Sequence, residues 1–258
     1  MLIEWLNDLP AFLLILVRLT AFFVTAPLFS LQGVPHVFKI GLACFLALVS
    51  VAVIEVEHPL HLDVGFLVYV VKEALVGLSL GFVAALVIYT VQVAGAFIDF
   101  QMGFLIANLV DPQTGAQIPI IGNLKYFLTL LFLLSVDAHH LLIEGVLRSY
   151  QLVPVDHYFV PIGSAGVAQF VTHVFVQMFL VALQIAIPIV GALFLVDVSL
   201  GILARTVPQI NVFVVGLPLK ILSGFVLILI TLPGFFFILH RLVGEMVDTM
   251  GQLLRLLG

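Results

Sequence analysis

The stretch Arg205-Thr206-Val207-Pro208-Gln209-Ile210-Asn211 decides how this chain is read. It separates two long apolar runs, residues 170–196 and 212–239, and sets a fixed cation, two amides and a proline in an otherwise apolar sequence. Proline removes a backbone donor and limits helix continuation. Gln209 and Asn211 can hydrogen-bond the backbone groups that a helix end leaves free. The reading is a shaped turn between two membrane-type helices. Arg205, Pro208, Gln209 and Asn211 are its candidate residues for fixing the turn and touching a neighbouring subunit. An ordinary polar connection fits the same residues, because loops collect polar side chains.

Composition supports membrane helices on either side of that turn. Of 258 residues, 63% are hydrophobic and 9% charged, and mean hydropathy is +1.32. A soluble domain is roughly half apolar and about a quarter charged, and one of this size has no core large enough to hide so much apolar surface. The net charge of −5 argues against a nucleic-acid partner, which favours a basic face. The single cysteine, Cys44, excludes an intramolecular disulfide and reads as a small hydrophobe. Glu4 and Asp8 stand where a cleavable signal would carry basic residues.

Six apolar segments follow one another: 9–29, 40–54, 64–93, 118–136, 170–196 and 212–239. The first is long enough to cross a bilayer, which takes about 20 helical residues, whereas membrane strands need only about 9–11. Helices satisfy every backbone group within one segment, as lipid demands. The expected fold class is all-α: integral-membrane helical hairpins with broken helices, in one domain over residues 1–258. The breaks are expected because Arg18, Lys72 and Glu73 lie inside apolar segments, Pro188 and Asp197 interrupt the fifth, and Pro218, Lys220 and Pro233 the sixth. A charge at the bilayer centre costs at least about 2.5–3.5 kcal/mol, so these residues should face protein, water or the membrane edge. Gly77 and Gly81 form a GxxxG pair suited to close helix packing. The acidic loop 55–63 should lie outside and Lys39 and Arg205 inside; the tail cations then conflict with six alternating spans, and the span count stays open.

The tail repeats Leu242, Val243, Met246, Val247, Met250, Leu253, Leu254 and Leu257 at helical spacing, with Glu245, Asp248, Gln252 and Arg255 between them. Residues 241–258 therefore read as an amphipathic helix for the membrane interface or a partner's groove. Lys220, on its long stem, is expected to reach an interface by itself.

Chemistry is sparse. Adjacent residues on a helix diverge by about 100 degrees, so His139 and His140 do not jointly face one ion without a turn, and no HExxH pattern is present. No phosphate-binding loop or dinucleotide fingerprint occurs. The expectation is no enzyme, no cofactor and no metal. Glu73 and Asp99 fit a proton relay or, better, hydrogen-bonded packing of buried polar groups.

Three stretches carry a resemblance. One runs from Asp197-Val198-Ser199-Leu200-Gly201 through the opening motif to Gly216-Leu217-Pro218-Leu219-Lys220. The others are Ala94-Gly95-Ala96-Phe97-Ile98-Asp99-Phe100-Gln101-Met102-Gly103 and Asp137-Ala138-His139-His140-Leu141-Leu142. In order and spacing the chain resembles the FliR/SctT family of flagellar and type III secretion export-gate membrane proteins, across residues 18–220. The resemblance implies a structural subunit of the protein export gate, most simply of the bacterial flagellum, in the bacterial inner membrane. Implied partners are FliP-like and FliQ-like gate subunits, an FlhB-like switch subunit near the tail, unfolded export substrates and membrane lipid. It further implies that Asp111, Pro112, Gln113, Thr114, Gly115, Ala116 and Gln117 belong to an inward loop that plugs the closed pore; an ordinary connection is the other reading. The rival from another class is a secondary transporter with discontinuous membrane helices, which should show a repeated half and work when purified alone.

Overall fold

A computed structural model describes the chain apart from residues 1, 32, 55–62, 105–118, 159 and 210, and apart from the side chains of 2–8, 212 and 213. Among the described residues every regular element is a helix: α1 (Leu2–Thr25), α2 (His36–Val51), α3 (Phe66–Met102), α4 (Ile120–Ser135), α5 (Ala138–Leu152), α6 (Ala165–Thr206) and α7 (Val212–Leu257). By length and composition α3, α6 and residues Val214–Leu257 of α7 are able to cross a membrane, and the bent pair α4–α5 makes a fourth candidate. Leu9–Thr25 and His36–Val51 are shorter. The first apolar run is cut because a turn follows Thr25, with Leu28 in a left-handed conformation at φ 70°.

The helix breaks differ from those expected. α6 runs through Pro188, and α7 runs through both Pro218 and Pro233 and on into the tail. A proline removes one ladder bond, whereas ending the helix in an apolar setting would leave several backbone groups unpaired. The break falls instead between α4 and α5, where the axis turns by 75°. No proline stands there; Asp137 makes the turn in a left-handed conformation at φ 55°.

Backbone packing groups the chain into two compact units. The first comprises Met1–Val87, Leu133–Phe175 and Val243–Gly258. In it α1 lies directly on α3. A Cβ at Gly77 would come within 2.3 Å of the Arg18 carbonyl oxygen, and one at Gly81 within 2.1 Å of Thr25 Oγ1. The GxxxG pair is thus a seam where only glycine fits. The tail's apolar face is also used here: Val243, Met246, Met250, Leu253, Leu254 and Leu257 are buried, with Met250 packed over Gly145 of α5. That face is closed to a partner's groove, contrary to the docking expected for it, because the chain's own unit covers it.

The second unit comprises Ile88–Phe132 and Val176–Leu242. Its core is formed by Ile98, Met102, Ile121, Ala186, Ile189, Leu193 and Ile228. Gly224 of α7 admits Met102, whose Cε would lie 2.6 Å from a Cβ there.

Candidate functional site

The second unit fixes the two helix ends that flank residues 105–118. Asp99, 2% exposed on α3, accepts hydrogen bonds from the Ile121 N–H through Oδ1 and the Gly122 N–H through Oδ2, both at 3.0 Å. These donors sit in the first turn of α4, where N–H groups have no partner within the helix and a negative charge is favourable. A carboxylate twenty-odd residues away therefore caps α4. It gets close enough because Gly95 and Gly122 touch: a Cβ on Gly95 would lie 2.2 Å from Gly122 Cα. Gln92 Nε2 donates to Asn123 Oδ1 at 3.2 Å on the same seam. Gln92, Gly95 and Asp99 recur at three and four residues, one face of α3.

A second tie joins α3 to the α6–α7 hairpin. Gln101 Nε2 donates to Asp197 Oδ2 at 2.8 Å, and Lys220 Nζ lies 2.9 Å from each oxygen of the same carboxylate. Lys220 is therefore spent within the chain and does not reach out alone as expected. Phe104 meets Phe225 edge-on at 6.4 Å. Asp111, Pro112, Gln113, Thr114, Gly115, Ala116 and Gln117 lie outside the described residues.

The turn between α6 and α7 is exposed at Arg205, Pro208, Gln209 and Asn211. Arg205 ends α6, where a cation complements the carbonyl end of the helix. It makes no hydrogen bond or ion pair among the described residues. Val207 N–H returns to the Leu203 carbonyl at 2.9 Å and closes α6. Asn211 opens α7: its Oδ1 accepts the Val214 N–H at 3.4 Å, and its carbonyl accepts the Val214 and Val215 N–H groups at 3.1 and 3.2 Å.

The first unit holds a closed network of buried charge. Glu73 is fully buried between two cations. It pairs with Arg18 through Nε and through Nη2, the latter at 2.8 Å, and with Lys72 Nζ at 2.8 Å. Arg18 also donates to Ser149 Oγ and the Val153 carbonyl, each at 2.8 Å, and stacks 4.2 Å from the Tyr150 ring centre. Lys72 donates to the carbonyls of Pro154, Val155 and His157 at 2.8, 3.0 and 3.0 Å. The buried carboxylate of Asp156 adds a second negative charge near Lys72, and the carbonyl oxygens complete the surroundings of both cations. Arg18 and Lys72 were readable as misplaced charges, but their partners at 149–157 have no signal in the sequence.

Glu73 and Asp99 are thus surrounded by donors of their own chain, as packing groups are. No nucleophile is paired with a base among these residues. In the first turn of α5, Asp137, His139 and His140 bring one possible ligand atom each within 4.8 Å of one another, nearer than the divergence of neighbouring helical residues suggests.

These features define a helical membrane protein whose described polar groups fasten helix ends and loops. The model of the family described as bacterial export proteins, family 1, matches residues 9–246, and the chain belongs to that family. It is 49% identical over 249 residues to the flagellar biosynthetic protein FliR of Bacillus subtilis (strain 168), covering 96% of each chain. It is 29% identical over 230 residues to FliR of Escherichia coli (strain K12), covering 89% of this chain and 87% of that one. It is 31% identical over 216 residues to Yop proteins translocation protein T of Yersinia pestis, with 83% and 82% covered. Its place is the bacterial inner membrane, as a subunit of the flagellar or type III export apparatus.

Proposed function

We propose that this chain is a non-enzymatic subunit of the flagellar protein export gate, forming part of the channel through which unfolded substrates pass. The flagellar assignment rests on the 49% identity to a flagellar FliR. The observation that carries the channel role is the fastening of both helix ends that flank residues 105–118, the start of α4 by Asp99 and the end of α3 to α6 by Gln101 and Asp197. Such anchoring suits a segment, Asp111 to Gln117, that closes a pore while its supports stay fixed.

FliP-like and FliQ-like subunits are the proposed neighbours. Ile120, Leu124, Phe127, Leu131 and Leu134 form one exposed apolar stripe along α4, each at least 49% exposed. Arg205, exposed beside Gln209, supplies forked donors for a neighbour's carboxylate or carbonyl groups. An FlhB-like subunit meeting the tail would use its outer face, Asp248, Gln252 and Arg255, which are exposed.

Co-expression tests the reading. With the small membrane subunits of the export gate, the chain is expected to purify as one complex, and alone it is expected to be degraded. A monodisperse, protease-resistant single chain that moves small solutes across vesicles would establish the transporter instead.

A further inference from the structure

We propose that Asp137, His139 and His140 bind one divalent transition-metal ion of the zinc type at the start of α5. Asp137 occupies the N-cap position of α5 with φ 55° and ψ 25°. An aspartate at that position ordinarily accepts a hydrogen bond from the second or third helical N–H. The Asp137 side chain makes no capping hydrogen bond. Its backbone carbonyl takes the His140 N–H instead, at 2.9 Å. The carboxylate is thereby left for other use.

A second, independent observation lies beside it. His139 Nδ1 is buried without a hydrogen-bond partner, the one such side-chain atom among the described residues. A neutral imidazole offers one donor and one acceptor nitrogen, and a buried nitrogen left unpaired is unfavourable. The His140 ring stands 4.1 Å from the His139 ring between centres, and its Nδ1 is 3.9 Å from Asp137 Oδ1.

The three possible ligand atoms lie within 4.8 Å of one another. Tetrahedral zinc, with bonds of about 2.0–2.2 Å, holds its ligand atoms about 3.3–3.6 Å apart. The side chains of Asp137 and His140 are 76% and 71% exposed, so rotation about their own bonds closes the difference without moving packed neighbours. Imidazole with one carboxylate suits zinc, nickel or copper, whereas magnesium and calcium take sets of oxygen ligands. Three protein ligands leave the fourth position for water.

The test uses the assembled gate complex in detergent, built without a polyhistidine tag and stripped with chelator. Zinc chloride is added at about 10 µM, and the retained metal is measured by mass spectrometry after dialysis. The wild type is expected to hold one zinc per copy of this chain beyond the double variant Asp137→Asn/His140→Gln. Each single variant should bind about ten-fold or more weaker, and Glu144→Gln, an exposed acid on the same helix, should bind as wild type. Asparagine is chosen at 137 because it tolerates the left-handed backbone, and His140→Gln alone serves should the 137 variant not assemble. Equal zinc in wild type and variants means an adventitious ion only and overturns the proposal, as does no retained zinc in the wild type.

Discussion

Lys220 on α7 and Asp197 on α6 form an ion pair at 2.9 Å, and they are the two ends of the one motif that contains the α6–α7 turn. The pair clamps the hairpin from within. Asp197 also receives Gln101, so the motif and the end of α3 share a single carboxylate.

This division of labour separates Lys220 from Arg205. Lys220→Ala is expected to lower the stability of the chain by about 1 kcal/mol, the range of a partly exposed pair. Arg205→Ala is expected to leave the chain's level in the membrane unchanged while reducing recovery of the complex. Quantifying membrane level and co-purified subunits for both variants checks this; identical behaviour of the two would refute it.

The buried triad is a stronger test of packing. Glu73→Ala leaves Arg18 and Lys72 buried without their carboxylate, at a cost of about 3–5 kcal/mol. Ser149→Ala, which removes one neutral acceptor from Arg18, should cost only about 1 kcal/mol. Thermal unfolding of the detergent-solubilised complex, followed by loss of this chain, should rank them in that order.

At the α3–α4 seam, Asp99→Ala orphans two buried N–H groups, each worth about 1–3 kcal/mol. Asp99→Asn keeps one acceptor oxygen and should retain part of that stability. Gly95→Val should be at least as damaging as Asp99→Ala, because the first added carbon already meets the Gly122 backbone. A Gly95→Val chain accumulating at the wild-type level would show that the seam is looser than described.

Deleting Gln113–Gln117 is expected to raise leakage of small ions through the assembled gate while assembly continues, since the anchors at Asp99 and Asp197 are untouched. Planar-bilayer conductance or dye leakage measures it. Normal assembly with conductance at the wild-type level would make the segment a connector.

Much of the helical architecture is legible in the sequence because lipid permits few alternatives: long apolar runs must be helices. The breaks are less legible. Pro188, Pro218 and Pro233 look like interruptions, yet the helices pass through them, while the real corner at Asp137 carries neither proline nor glycine. Burial of Arg18 and Glu73 follows from their place in apolar runs; the partners of Arg18 at Ser149 and Val153 and of Asp99 at Ile121 and Gly122 do not, because they contribute backbone or small polar groups that occur everywhere. The tail's periodicity gives its apolar face but is silent on whether that face meets lipid, a partner or this chain.

The lengths of α6 and α7 bear on timing. Helices of 42 and 46 residues measure about 63 and 69 Å, against a hydrocarbon layer of about 30 Å. Even a tilt of about 40° leaves each far longer than the layer is thick. Their outer turns carry apolar side chains such as Ile202 and Val214, each more than half exposed, so lipid cannot shelter the whole of either helix at once. A newly made copy therefore waits with apolar turns in water until its neighbours arrive, and cells that make those neighbours late or too sparingly should lose the chain to proteolysis before any gate is built.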